Sequence, residues 1–209
     1  MALIPRYHTA VAMFPVDPAD VTLINNGSSD ATYGIYQGQV VGLTSAGYIK
    51  HATASNASPT ILPIGLAGDS LAAAAGHTAY QASLVVSPGG TTKSTQNRVS
   101  DYFNETLGSG LMTVYITGGE FYTDMFLSTD TFTVGAKVYA NPVAAYTTAN
   151  AGLVTCSTTS NASQVGVLTA GVKQYPNGVP GVDGGANLDY SMQLNSYNGS
   201  GFIGFVMQL

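Results

Sequence analysis

Along most of the chain apolar residues alternate with polar ones, and the three- and four-residue spacing of an amphipathic helix is scarce. The alternation is clearest over residues 111–116, 121–127 and 131–140, which also carry many β-branched and aromatic members. Such runs turn one face to a core and the other to solvent, so they predict strands. Shorter runs at 31–37, 40–43, 48–50, 61–67, 80–87, 153–157, 164–170, 188–194 and 202–209 predict more of them. Pro63 places the start of 61–67 at an edge or a bulge, because proline gives no backbone donor to a ladder. Gly118-Gly119 reads as a hairpin turn between 111–116 and 121–127, and 128–130 as the turn into 131–140. Residues 71–75 have helix propensity but the length of a single turn. The fold class predicted is all-β, a barrel or sandwich with few short helical turns.

One stretch, 36–68, comes back about a hundred residues later. Gly38-Gln39-Val40-Val41 is echoed by Gly135-Ala136-Lys137-Val138, Gly47 by Gly152, and Ile64-Gly65-Leu66 by Val165-Gly166-Val167. Ser-Asn-Ala-Ser occurs at 55–58 and again at 160–163. The offsets stay between 97 and 105 residues, as a repeated unit with small insertions would give. Two related β units facing each other as halves of a barrel or sandwich are expected.

The ends and one middle segment differ from this pattern. Residues 1–20 contain Pro5, Pro15 and Pro18, which favour an extended chain and oppose a helix. They predict an N-terminal arm lying along its own domain or, by strand addition, along a neighbouring subunit. Residues 21–209 then form the β domain. Within it, 88–110 carries Lys93, Arg98, Asp101 and Glu105 between glycine-rich ends and reads as a surface insertion.

Composition narrows the function. Charged residues make up 8% of the chain, against about 25% in an average soluble domain. The surface must be polar through Ser, Thr, Asn, Gln and Tyr, which suits lasting contact with other protein. Six basic and eleven acidic residues give a net charge of −5, with no basic patch for nucleic acid or an anionic membrane. No apolar stretch reaches the length of a membrane helix. The first residues lack the layout of a signal peptide, so synthesis in a cytoplasm is expected. Cys156 stands alone, which leaves no intrachain disulfide, and its alternating surroundings mark it as a small buried residue instead of a nucleophile.

Candidate chemistry is thin. His8, His51 and His77 share no metal-ligand spacing with one another or with Cys156, and read as surface histidines. Asp69, Ser70 and His77 lack a nucleophile-elbow frame. Glu120 and Asp124 could act as a carboxylate pair, but read as solvent-facing charges on a strand. Asp183 and Asp189 lack the pattern of a calcium loop, and 178–185 lacks the Lys-Ser/Thr of a phosphate loop. No catalytic residue, cofactor or metal is expected.

Gly38, Val40, Val41, Gly47, Ala52, Pro63, Ile64, Gly65 and Ala67 together resemble the β-barrel core of tailed-bacteriophage capsid decoration (cement) proteins; 131–171 repeats the pattern more loosely, without the proline. The resemblance implies a non-enzymatic virion protein on the outer capsid surface. Its implied partners are the major capsid protein and itself, as a trimer or, second, a dimer. The expected capsid contacts are Ile4, Pro5, Arg6, Tyr7, Val11, Met13 and Phe14 in the arm, with Arg98, Tyr102 and Phe103 in the insertion. Two alternatives remain open at this point. One is a receptor- or glycan-binding module using Tyr102, Phe103, Tyr175 and Tyr197; the other is a hydrolase using Glu120 and Asp124.

Overall fold

The alternating runs form strands, and the strands form two antiparallel sheets. The computed structural model describes residues 3–7, 10–25, 34–71, 110–127, 129–148, 150–173 and 202–209. In chain order the elements are β1 (Leu3–Tyr7), β2 (Ala10–Pro15), α1 (Pro18–Asn25), β3 (Val40–Leu43), β4 (Ile49–His51), β5 (Pro63–Ala67), β6 (Leu111–Thr117), β7 (Glu120–Thr123), β8 (Lys137–Ala140), β9 (Val154–Thr155), β10 (Gln164–Lys173) and β11 (Phe202–Met207). The first sheet runs β2-β6-β5-β3-β4, and the second β1-β7-β11-β10-β8-β9.

Without β1, the two orders are the same. Strands two to six, in the order 2-6-5-3-4, map onto seven to eleven, in the order 7-11-10-8-9. The register agrees residue by residue: Val41 faces Gly65 as Val138 faces Gly166, and Leu43 faces Ile49 as Ala140 faces Val154. Leu66 faces Tyr115 as Val167 faces Val206. The turns before β3 and before β8 are held alike, by Gly38 N–H on the Ala67 carbonyl (2.8 Å) and Gly135 N–H on the Leu168 carbonyl (2.8 Å). A parallel bridge links the two ends of each five-stranded unit alike: Val16, just past β2, meets Ile49 of β4, and Phe126, beyond β7, meets Val154 of β9. The repeat expected from the sequence is therefore a tandem duplication of a five-stranded, partly rolled sheet.

Each unit buries matching positions in its own core. Val41, Ile49, Ala67, Met112 and Val114 line the first core; their counterparts Val138, Val154, Leu168, Ile203 and Phe205 line the second. The second core is richer in rings, with Phe126 set edge-on to Phe132 at 5.1 Å between centroids. It also receives Val40 and Leu66 from the far face of the first sheet, and Ala52 from just past β4. This explains two adjacent apolar residues at Val40-Val41: both faces of β3 are covered. Tyr115 of β6 meets Phe121 of β7 at 5.3 Å, joining the units again.

Several expected connections differ. Gly118-Gly119 is not a hairpin turn, because β6 belongs to the first sheet and β7 to the second. Both glycines have positive φ, 62° and 88°, and the pair carries the chain from one unit to the next. Residues 128–130 likewise do not join paired strands: β8 pairs with β9 and β10. Local alternation identifies strands but not their partners, since long-range pairing is chosen by which faces must be buried. Pro63 does sit at a register shift, opposite Gly42.

The N-terminal residues are built into the sheets. β1 pairs with β7 on the edge of the second sheet, and β2 pairs with β6 on the edge of the first. Contrary to the extended reading, α1 starts at Pro18. Proline is favoured at a first helical position, where its missing N–H would have had no helical partner. Asp17 caps the helix: its Oδ1 accepts from Ala19 N–H at 2.9 Å. Of the 88–110 insertion, only Gly110 lies within the described residues, and residues 188–194 lie outside them.

Candidate functional site

Two places gather the side chains that composition made scarce or conspicuous: a buried polar junction between the units, and an apolar strip on β2 and β6.

The junction starts from β4, whose Lys50 and His51 are both buried. Lys50 Nζ contacts Asp20 of α1 directly and Asp17 at 3.1 Å. It also lies 4.9 Å from the centre of the Tyr146 ring, which belongs to the second unit. The helix start and the strand are thus clamped by one ammonium. Burial raises the Asp20 carboxyl above its ordinary range, against the pull of Lys50. Burial acts the same way on Asp17, but the Ala19 N–H and Lys50 outweigh it and hold that carboxyl low. This ion cluster fastens α1 and β4 to the second unit, and every charge in it faces a partner.

His51 continues the junction. Its Nδ1 is 3.0 Å from the Tyr146 carbonyl and its Nε2 is 2.9 Å from Gln39 Oε1. The Gln39 amide is oriented by its other bonds: Oε1 accepts from Tyr36 N–H at 2.7 Å, and Nε2 donates to the Ala151 carbonyl at 3.1 Å. Close by, Val40 N–H donates to the Gly152 carbonyl at 2.7 Å. The repeated tetrapeptides also touch, Ser55 N–H donating to the Asn161 carbonyl at 3.0 Å. Burial pushes the His51 imidazolium down to about 4; the Tyr146 carbonyl favours the charge and the nearby Lys50 opposes it. The unfolded chain therefore binds a proton between pH 6.5 and 4 that the folded chain refuses. This part of stability is complete above pH 6.5 and is lost as pH falls toward 4, by about 3 kcal/mol in all. Urea titrations from pH 7 to pH 4, with His51→Gln as control, measure it. A flat wild-type profile would mean that the two oxygens facing the ring keep it charged.

The structure corrects two expectations. His51 is a buried joint residue, not a surface histidine. Asp124 is fully buried just past the end of β7, while Glu120 is half-buried and accepts from Thr169 Oγ1 at 2.9 Å. They are therefore not a pair of solvent-facing strand charges: β7 ends at Thr123 and the chain turns inward. Among the described residues no three His, Cys, Asp or Glu side chains group as a metal site. Cys156 packs half-buried against the second core; burial and the Asp130 carboxylate push its thiol up, which disfavours the reactive thiolate. His8, His77, Tyr175, Asp183, Asp189 and Tyr197 lie outside the described residues, as does the 178–185 loop.

The apolar strip is the second place. On β2, exposure alternates, so Val11 and Met13 point outward at 46% and 58% exposed while Phe14 turns to the first core. Pro15 lies opposite Leu111 of β6, which is 38% exposed on the same face. Half of the exposed large hydrophobic residues among those described thus sit together. Of the other expected contacts, Ile4, Pro5 and Tyr7 are in β1, opposite Tyr122, Phe121 and Glu120 of the second sheet. Arg6 lies in the same strand. Arg98, Tyr102 and Phe103 lie outside the described residues. The structure therefore brings Val11 and Met13 together, separates them from β1, and adds Leu111. The alternation at 111–116 already placed Leu111 opposite in facing to Met112, but not beside β2.

Comparison with protein-family models, curated proteins and solved structures finds no match to this chain. No helix among the described residues is long and apolar enough to cross a membrane.

Proposed function

We propose that this protein is a structural component of a phage particle, decorating the outer capsid surface and bridging major capsid protein subunits. The observation that carries the reading is the strip of Val11, Met13 and Leu111, three of the six exposed large hydrophobic residues among those described, gathered on one face of a chain poor in charge. Adjacent exposed apolar side chains favour a protein partner. The duplicated scaffold supports the reading, because its described ionisable groups at the unit junction are committed to holding the two halves together. Repetition over a shell would let modest contacts add up. The resemblance of 35–70 to decoration proteins points the same way.

The test is cosedimentation of the purified chain with heads lacking decoration, from the phage that encodes it. Saturable binding is expected, and Leu111→Asp should weaken it at least about tenfold, the equivalent of ~1.4 kcal/mol. Failure of the wild-type chain to bind, or equal binding of the variant, would overturn the proposal. A point change is the right probe, because removing residues 1–16 would also remove β1 and β2 from their sheets.

A further inference from the structure

The duplication poses a question at one sheet edge. β2 and β7 are equivalent strands, and the outer edge of β7 is covered by β1 in antiparallel pairing. The outer edge of β2 carries no strand among the described residues; only Val16, past its end, bridges to Ile49. Edge strands are commonly guarded by charge, proline or a bulge. β2 has a proline only at its last position, Pro15, and a register shift only at its first step, between Ala10 and Val11; between them neither β2 nor its neighbour β6 holds a charged residue.

The open hydrogen-bonding groups can be assigned. Val16 N–H donates to the Gly110 carbonyl of the β6 side at 3.0 Å. Amides alternate along a strand, so Ala12 and Phe14 also bond toward β6, and Val11 and Met13 turn their N–H and C=O outward. Pro15, next in that series, has no N–H and ends the series. The register shift between Ala10 and Val11 ends it on the other side.

We infer that this edge pairs with the same edge of a second copy, β2 against β2 in antiparallel, about a two-fold axis through Ala12. The axis places Val11 of each copy opposite Met13 of the other, and the two pairs exchange four N–H···O bonds. Ala12 faces its own counterpart as a non-bonded pair. The register keeps like faces together, so the strips of Val11, Met13 and Leu111 from two copies become one wider apolar face. It opposes no charges, and it leaves each β1 on its own β7. The β1–β7 pairing, of similar length, is the precedent within the chain that an edge of this unit accepts an antiparallel strand. The inference goes beyond capsid decoration and is tested without capsids.

Light scattering during size exclusion should give twice the 21.4 kDa chain mass. Met13→Lys, which places like charges across the two-fold and alters an exposed side chain, should yield a folded monomer by circular dichroism, with the dissociation constant raised at least about 100-fold. In a Cys156→Ser background, Ala12→Cys should form a disulfide-linked dimer in air, since a non-bonded antiparallel pair has Cα atoms about 4.5 Å apart, within disulfide reach. Ala10→Cys, set opposite Phe14 in this register, should not. A monomeric or trimeric wild-type chain, a dimer that survives Met13→Lys, or a dimer that Ala12→Cys does not link would each overturn the inference.

Discussion

Gly65→Ala and Gly166→Ala are each expected to destabilise the fold by about 3 kcal/mol. A methyl at Gly65 would overlap the Tyr115 carbonyl oxygen and crowd Val114 Cγ1 at 2.7 Å; at Gly166 it would overlap the Val206 carbonyl oxygen and crowd Phe205 Cδ2 at 2.9 Å. The obstacle is backbone in both cases, and from equivalent residues, so it cannot rotate away. Either β5 or β10 must lift from its neighbour, and the ladder beside it weakens. Gly47→Ala is the control. Its φ is +83° with nothing within 4 Å of the added carbon, so only backbone strain of ~1–2 kcal/mol applies. Thermal unfolding should separate them, with the melting temperature falling by roughly 6–12 °C for Gly65 or Gly166 on the scale of 2–4 °C per kcal/mol. A loss at Gly65 or Gly166 no larger than at Gly47 would contradict the close approach and, with it, the equivalence of the two units.

Lys50→Ala should cost about 3–5 kcal/mol. Its ammonium is 5% exposed and the Asp20 carboxyl 6%, so truncation strands a buried carboxyl and removes the clamp between α1, β4 and Tyr146. The double variant Lys50→Met with Asp20→Leu should regain much of the loss, because replacing both partners leaves no buried charge unpaired. Urea denaturation of the wild type, Lys50→Met, Asp20→Leu and the double closes the cycle. Near-additive losses would show that the two side chains act independently, and the junction would then not depend on their pairing.

The cement-protein reading rests on the resemblance and the apolar strip, and it leads to the phage-head experiment. The fold rests on the register. These are separate supports, and the glycine and lysine variants test only the second.

How much was legible can be followed through particular residues. Val40-Val41, Gly65 and the Ser-Asn-Ala-Ser repeat announced two related β units, because equivalent glycines and apolar positions serve equivalent contacts. Pro63 announced an irregular strand start. His51 and Asp124 were placed on the surface and are buried, since a single polar letter in a strand-like run reads as solvent-facing until a partner appears far along the chain. Tyr146, which receives both Lys50 and His51, is 95 residues from His51. Leu111 and β2 were likewise separated by nearly a hundred positions.

The sequence alone determined the strand class, the repeat and its spacing, and the scarcity of charge, because alternation, glycine placement and composition are local or countable. The tertiary structure decided which strands pair, that Gly118-Gly119 crosses between units, that the first residues split between two sheets, and that Lys50 and His51 lie in the seam. Those choices depend on burying two faces of β3 at once and on satisfying every polar group left inside, and neither requirement exists until the two halves meet.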